Sequence, residues 1–519
     1  MNYELNHTGG MLMLRQVRTE NGIVRGIEAA DPRITAFKGI PFAAPPTGKN
    51  RWRAPQPCES WAGVRDCSRF APISMQWIPG LGDDIYCREW HVDPEIPMGE
   101  DCLYLNVWTK AKKADEKMPV LVWFFGGGLQ CGYPAEMEFD GERIARRGIV
   151  VVTVNYRVGA LGFLTHPQIS REQPEAPANF GNLDQQAGLR WVQRNIAAFG
   201  GDPGRVTIAG QSAGGGSVMS QLACPANKGL FSGAVVMSAM IFDPYLHREV
   251  GRPETLKQAE KKGEEFFAFL KVKSLEEARA MDAVTLQRSY EKYMEGHTPF
   301  FTVQDDLFCV GDPIALYSRG ECVDAVMMAG NTSDEFLNTI DAKDKETLKE
   351  EAVKLFGNRA EAFLAFPETS KYVPDQGYAP VSGIECTVKG VLSKTARAGK
   401  KGYCYCFDPD MPGWDNPGTF HSSDLWFWFE TLAKCWRPFT GRHYDLARQM
   451  CDYFCNFIKT GDPNGEDLCG LKLPEWKAWS EDAPCTMRFE KDGAAPSAEP
   501  LNPFKQFLSD KIMERIETL

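Results

Sequence analysis

The sequence predicts an α/β fold, a mostly parallel central sheet flanked by helices with helical insertions above one sheet end. Two observations predict it. Short runs rich in β-branched and aromatic residues recur along the chain, each nearly continuously apolar, as strands buried on both faces of a parallel sheet must be. Helical patterns separate these runs, which is the alternation that builds parallel pairs through crossover helices. The chain shows no internal repeat, low-complexity stretch or linker, so residues 1–519 are expected to form a single domain.

Strands are expected at Val120–Phe125, Ile149–Tyr156, Arg205–Ala209, Gly233–Met237, Ala325–Ala329 and Gly402–Phe407. The segment Asn182–Ile196 carries apolar residues at helical spacing and reads as an amphipathic helix. Ser274-Leu-Glu-Glu277 has the spacing of a capping box. Residues 251–294 and 341–365 are charged and helical, placing insertions at about 245–300 and 341–400.

Composition narrows the function classes. The formal charge of −11 is spread out, with no basic stripe, so no nucleic-acid partner is expected. No apolar run approaches the roughly 18 residues of a membrane helix, so no membrane partner is expected either. The first residues lack a basic stretch followed by an apolar core, and the expectation is a cytoplasmic protein. Sixteen cysteines diluted over a chain of this size read as reduced, mostly buried thiols. The pairs Cys404/Cys406 and Cys451/Cys455 lack a second pair at zinc spacing, so neither metal nor other cofactor is expected. The sequence leaves the oligomeric state, monomer or dimer, open.

The sharpest motif is Val206-Thr-Ile-Ala-Gly-Gln-Ser-Ala-Gly214, a strand running into G-x-S-x-G. That spacing makes a nucleophile elbow: a tight strand-to-helix turn presents Ser212 while the glycines admit the crossing backbone. The helix that follows aims its positive end at the seryl oxygen. An elbow serine needs a base and an acid, in the chain order serine, acid, histidine. Of seven histidines, four lie beyond Ser212. His247 and His297 fall in the helical insertion and His443 in a polar helix start, whereas His421 ends a Pro/Gly-rich loop after a strand, where a catalytic base belongs. The strand ending at Ala329 is followed by two adjacent carboxylates, Asp334 and Glu335.

With these residues in view, the chain resembles the type-B carboxylesterases, which include cholinesterases and many bacterial esterases. Phe199 through Gly214 matches the family's serine signature, and Glu100-Asp-Cys-Leu-Tyr-Leu-Asn-Val-Trp108 its second signature. Phe37-Lys-Gly-Ile-Pro-Phe-Ala-Ala-Pro-Pro and Asn155-Tyr-Arg-Val-Gly-Ala-Leu-Gly-Phe163 are also similar to family sequence. The resemblance spans roughly residues 20 to 480. It implies the α/β-hydrolase fold, Ser212 as nucleophile, Glu335 rather than Asp334 as the acid, and His421 as the base. It also implies an oxyanion hole from the N–H groups of Gly127, Gly128 and Ala213, and buried ion pairs Arg51–Glu100 and Arg157–Asp184.

Departures from the family refine the expectation. Gln211 precedes the nucleophile where cholinesterases carry glutamate, which removes an anion suited to a cationic choline group. The family's first disulfide would pair Cys102 with a position that is Ser74 here, so the bridge is missing; Cys67 or Cys87 could stand in as partner. The loop 77–99 would then be a mobile rim or lid. Leu129, Gln211, Phe300, Phe301 and Phe336 are the expected substrate-pocket residues, while Trp426-Phe-Trp-Phe429 reads mainly as core.

The resulting expectation is a serine carboxylesterase acting through an acyl-enzyme on small uncharged esters, with aromatic or hydroxycinnamate-type esters as the plausible target. A carbamate, amide or lactone hydrolase on the same triad is the alternative enzyme reading. A non-catalytic cholinesterase-like scaffold is the third, disfavoured because Ser212, Glu335 and His421 are all present.

Overall fold

The computed structural model describes residues 13–245, 252–374 and 377–519. The N-terminal segment read for targeting signals lies outside these, as do His247 and part of the first expected insertion.

Eleven strands form one sheet. They are β1 (Ile27–Glu28), β2 (Thr35–Pro41), β3 (Tyr104–Thr109), β4 (Met118–Phe124), β5 (Val150–Val154), β6 (Gly201–Gln211), β7 (Gly233–Met237), β8 (Val326–Thr332), β9 (Gly402–Asp408), β10 (Thr486–Glu490) and β11 (Gly493–Ser497). Their spatial order is β11-β10-β9-β8-β7-β6-β4-β5-β3-β2-β1. Strands β4 to β10 run parallel, and antiparallel pairs close the sheet at both edges. Every residue of β4, β5 and β7 is buried, which explains their unbroken apolar sequence. All six expected strands are present. Strand β6 starts four residues earlier than its apolar run, because Gly201 already pairs with Met118.

Helix α1 (Phe180–Asn195) leads back to β6, and α2 (Ala213–Ala223) leaves it directly after Ser212. The insertion between β7 and β8 holds α3 (Leu256–Leu270), α4 (Leu275–Ala280), α5 (Ala283–Met294) and α6 (Pro313–Arg319). Ser274 caps α4 by accepting from the Glu277 N–H at 3.1 Å, but the Glu277 carboxylate accepts from Lys273 N at 2.7 Å, one residue short of a reciprocal box. Within 341–400, Gly383–Arg397 (α7) packs Val388, Val391 and Leu392 against the sheet as the crossover between β8 and β9. Only the residues before it lie outside the sheet-flanking layer. Among the described residues no helix is long and apolar enough to cross a membrane, and no cluster of side chains could hold a metal ion.

Buried ion pairs fasten the loops. Arg51 binds Glu100 through two 2.7 Å hydrogen bonds and also reaches the carbonyls of Ala278 and Met281, tying the insertion to the sheet. Arg157 grips Asp184 at 2.7 and 2.8 Å with both side chains buried. Burial raises the Asp184 carboxyl, and Arg157 opposes that rise.

All sixteen cysteines are free, including Cys102, Cys67 and Cys87. Ser74 stands at the vacant disulfide position and accepts from Val158 N at 3.2 Å. The loop 77–99 is nonetheless pinned, contrary to the expectation of a free rim. Its helical turn Tyr86–Glu89 buries the Glu89 carboxylate, which accepts from Arg437 Nε at 2.8 Å, Trp436 Nε1 at 3.2 Å and Trp426 Nε1 at 3.3 Å. Arg437 simultaneously holds Asp415 through two 3.0 Å hydrogen bonds and Pro412 O at 2.9 Å, in the loop that leads to His421. Glu89 and Arg437 side chains are both 0% exposed, so neither charge can turn to water. Arg437→Met should therefore cost roughly 3–5 kcal/mol by stranding Glu89. Denaturant unfolding would measure the loss, and faster protease cleavage within 77–99 would locate it.

Candidate active site

Strand β6 delivers Ser212 at its C-terminal end, with φ 55° and ψ −128°, a conformation that a non-glycine residue holds only under constraint. Its N–H donates to Met237 O at 2.9 Å, at the end of β7. Glycines flank it because there is no space: a Cβ on Gly214 would lie 2.1 Å from Phe124 O, and one on Gly210 2.4 Å from the Gly214 carbonyl carbon.

Glu335 follows β8. Its Oε1 accepts from the N–H and hydroxyl of Thr332, at 3.1 and 3.0 Å, which leaves Oε2 to meet His421 Nδ1 at 2.5 Å. Burial alone would raise this carboxyl, but the His421 ring beside it outweighs burial and holds Glu335 below the usual carboxylate range. It is therefore ionised at neutral pH and fixes the proton of a neutral imidazole on Nδ1. Asp334, its neighbour, serves a different end. Asp334 N donates to Thr419 O at 3.2 Å and Asp334 Oδ2 accepts from Thr419 N at 2.7 Å, joining the acid loop to the base loop.

His421 Nε2 accepts from the Gln211 side-chain amide at 3.2 Å. Among the described residues it makes no hydrogen bond to Ser212 Oγ. The base thus lies beside the residue preceding the serine, with an amide occupying the lone pair that the hydroxyl would need. Phe336 covers the imidazole with ring centres 4.5 Å apart.

The glycine loop after β4 faces the serine. Gly127 and Gly128 have φ of 100° and 64°, and within the described residues no acceptor engages their N–H groups or that of Ala213. Phe125 anchors the loop by stacking on Tyr156 at 4.1 Å, whose hydroxyl donates to Phe125 O at 2.7 Å. Gln130 donates to Phe300 O at 2.9 Å and so couples this loop to the insertion. Burial pushes the nearby Cys131 thiol well up, so it stays neutral and is no rival nucleophile.

A cavity of about 150 Å³ opens at Ser212 and Ala213. Leu129 and Phe301 line it as expected. Three expected pocket residues stand elsewhere. Phe300 is core, stacked on Tyr290 and edge-on to Phe266, because the insertion needs its ring to fill its own interior. Gln211 turns to the imidazole. Phe336 is 59% exposed and covers His421. Trp426 to Phe429 are fully buried core. Arg252, Asp312 and Phe242, which sequence reasoning did not single out, complete the cavity wall. No local motif marks them, since they come from the insertion and the helix after it.

The sequence profile of the carboxylesterase family matches residues 14–374 and 382–504, nearly the whole chain. The chain belongs to the carboxylesterase family. It is 31% identical to cocaine esterase of Oryctolagus cuniculus over 88% of this chain and 89% of that protein. It is 34% identical to fumonisin B1 esterase of Sphingopyxis macrogoltabida over 66% of this chain, spanning 61% of that relative's length. The solved structure of a PNB esterase superposes with a TM-score of 0.75 at 27% identity, covering 96% of this chain and 99% of that one. The enzyme is accordingly a carboxylic ester hydrolase with the α/β-hydrolase fold.

Two carboxylates near this esterase's base give separable expectations. Glu335→Gln should lower kcat by about four powers of ten, as loss of the orienting charge does in a triad. Asp334→Asn keeps an acceptor for Thr419 N and should stay within tenfold; matched kinetics check both. Asp424, beside His421, accepts from Tyr405 Oη at 2.9 Å and Trp428 Nε1 at 3.1 Å. Burial drives its pKa from 3.8 up to about 6, with those hydrogen bonds opposing and the Glu335 charge adding. A raised carboxyl penalises the folded state as pH climbs from the unfolded value to the folded one, and the penalty is complete above about 6. Asp424→Asn should gain stability on wild type between pH 4 and 6, on the order of 3 kcal/mol, and no further above that. Unfolding midpoints against pH for the two proteins measure it.

Proposed function

We propose that this enzyme hydrolyses uncharged carboxylic esters through an acyl-enzyme on Ser212, with His421 as general base and acid and Glu335 as its orienting anion. One observation carries the reading: the imidazole held by Glu335 at 2.5 Å reaches the side chain next to Ser212, at the mouth of the cavity that Ser212 opens.

The chemistry follows from the protonation states. Ionised Glu335 keeps the proton on Nδ1, so the Nε2 lone pair faces the elbow. A substrate carbonyl seated over Gly127, Gly128 and Ala213 brings the Ser212 hydroxyl into competition with the Gln211 amide for that lone pair. An N–H···N contact of 3.2 Å between neutral groups is weak, so the hydroxyl displaces it. His421 then takes the seryl proton as oxygen attacks carbon, and returns it to the departing alcohol. The three N–H groups stabilise the oxyanion, each contributing on the order of 3 kcal/mol. Water repeats the sequence and frees the acid. The cavity wall is mainly apolar, and a closed apolar space near 150 Å³ accepts a benzene ring, which favours ring-sized acyl groups.

Purified protein should be labelled stoichiometrically by a fluorophosphonate, with the adduct on Ser212, and should hydrolyse p-nitrophenyl acetate. Ser212→Ala should lose both the label and at least three powers of ten in kcat. Turnover of the variant within tenfold of wild type would remove Ser212 from the mechanism.

A further inference from the structure

The cavity that starts at the nucleophile ends on charge. Helix α2 presents Ser212, Gly216 and Ser220 to it, three residues spaced by four and so on one helix face. The cavity therefore follows the helix for about two turns, roughly 12 Å from the serine. Gly216 keeps this path open: a Cβ built there meets no atom within 4 Å. Ile241, Phe242, Phe301 and Ile314 supply apolar wall.

Into that wall project Arg252 and Asp312, paired Nε to Oδ2 at 3.5 Å with side chains 16% and 9% exposed. The guanidinium also lies 5.6 Å from the centre of the Phe242 ring. Asp312 Oδ1 caps α6 by accepting from Ala315 N at 2.9 Å, so Oδ2 is the oxygen turned to Arg252. The other polar side chains of the wall spend their protons within the chain. Ser217 donates to Ala213 O, Ser220 to Gly216 O and Thr302 to Asn182 Oδ1. The Arg252–Asp312 pair is thus the polar feature of the wall that can serve a guest.

We propose that Arg252 and Asp312 form a distal acyl subsite that recognises a hydroxyl at the far end of a ring-sized acyl group, as in a para-hydroxyphenylpropanoyl or hydroxycinnamoyl ester. This rests on the assignment of Ser212 as nucleophile. A hydroxyl both accepts from the guanidinium and donates to the carboxylate, so it replaces the water that an entering ring removes from the ion pair. A plain hydrocarbon ring removes that water and returns nothing, leaving a poorly solvated pair. A terminal carboxylate brings a second anion against Asp312 and is disfavoured by repulsion.

The test compares p-nitrophenyl esters of four acids: acetic, 3-phenylpropanoic, 3-(4-hydroxyphenyl)propanoic and 3-(4-carboxyphenyl)propanoic. Wild type should prefer the 4-hydroxy over the unsubstituted ring by about tenfold in kcat/KM, the yield of one good net hydrogen bond, and turn over the carboxyl ester slowest. Arg252→Leu should bring the hydroxy-to-unsubstituted ratio close to one. Gly216→Val should lower both ring esters relative to acetate, because its methyls enter the path. Ratios within one protein preparation are insensitive to partial misfolding, which lowers all four rates together. Equal rates on the two uncharged ring esters in wild type would overturn the subsite, as would a tenfold preference that survives in Arg252→Leu or a preference for the carboxyl ester. Absence of acetate turnover and of fluorophosphonate labelling would instead reject the underlying assignment of Ser212.

Discussion

The backbone contact between the end of β4 and the turn at Ser212 governs the rest of the site. Gly214 stands so close to the carbonyls of Phe124 and Phe125 that a methyl group cannot enter. Because β4 and β6 are neighbouring parallel strands, the register that pairs Phe124 with Gly210 decides this approach. The same contact forces Ser212 into its left-handed φ and sets the glycine loop that begins at Phe125 beside the seryl oxygen. The strain, of order 1–3 kcal/mol, is absorbed by strands buried on both faces and is small against the area they bury. Nucleophile and oxyanion donors are one packing solution, and neither can shift without the other.

The remaining groups arrive on loops, and buried charge positions them. Three carboxylates near His421 take different roles because their surroundings differ. Glu335 faces the imidazole and is held ionised, Asp424 faces neutral donors in full burial and is pushed toward neutrality, and Asp334 spends its oxygen on a backbone N–H. One anion on the ring orients it; a second fully ionised one in contact would bias the ring toward its protonated form. Farther out, Glu89 and Arg437 connect the loop 77–99 to the segment carrying His421. A disulfide would stabilise chiefly by restricting the unfolded chain, whereas this desolvated pair acts on the folded state. Reduced cysteines and a pinned rim are therefore compatible in one structure.

Much of this was legible in sequence where local chemistry determines geometry. Unbroken β-branched runs can only be buried strands, and G-x-S-x-G after such a run can only be a sharp turn, so β4 to β9 and Ser212 were found directly. Assigning Glu335 over its neighbour Asp334 took the family resemblance, since adjacency in the chain does not say which oxygen turns to the imidazole. The pocket was harder. Phe300 and Phe301 are indistinguishable by composition, yet one fills the insertion core and the other lines the cavity, because alternate side chains in an extended segment point to opposite sides. Arg252 and Asp312 are far apart in sequence and meet only through the path of the insertion. The rim loop was misjudged for a similar reason: the missing disulfide was visible, while its replacement by Glu89 and Arg437 depends on residues 348 positions apart.

Gln211 links the two halves of the site and shows why a neutral amide suits this position. A carboxylate at 3.2 Å from Nε2 would face the imidazole from the side opposite Glu335, and two anions on one ring would favour the imidazolium. A base already protonated cannot accept the seryl proton. The amide instead donates to the lone pair, which requires the neutral ring with its proton on Nδ1, the same tautomer that Glu335 selects from the other side. A neutral hydrogen bond is worth about 1 kcal/mol net, little enough for the serine hydroxyl to displace once a substrate carbonyl offers its own interactions. Gln211 therefore holds the ring in the reactive tautomer while the site is empty and yields its place when the site fills, a combination that a charged side chain could not provide.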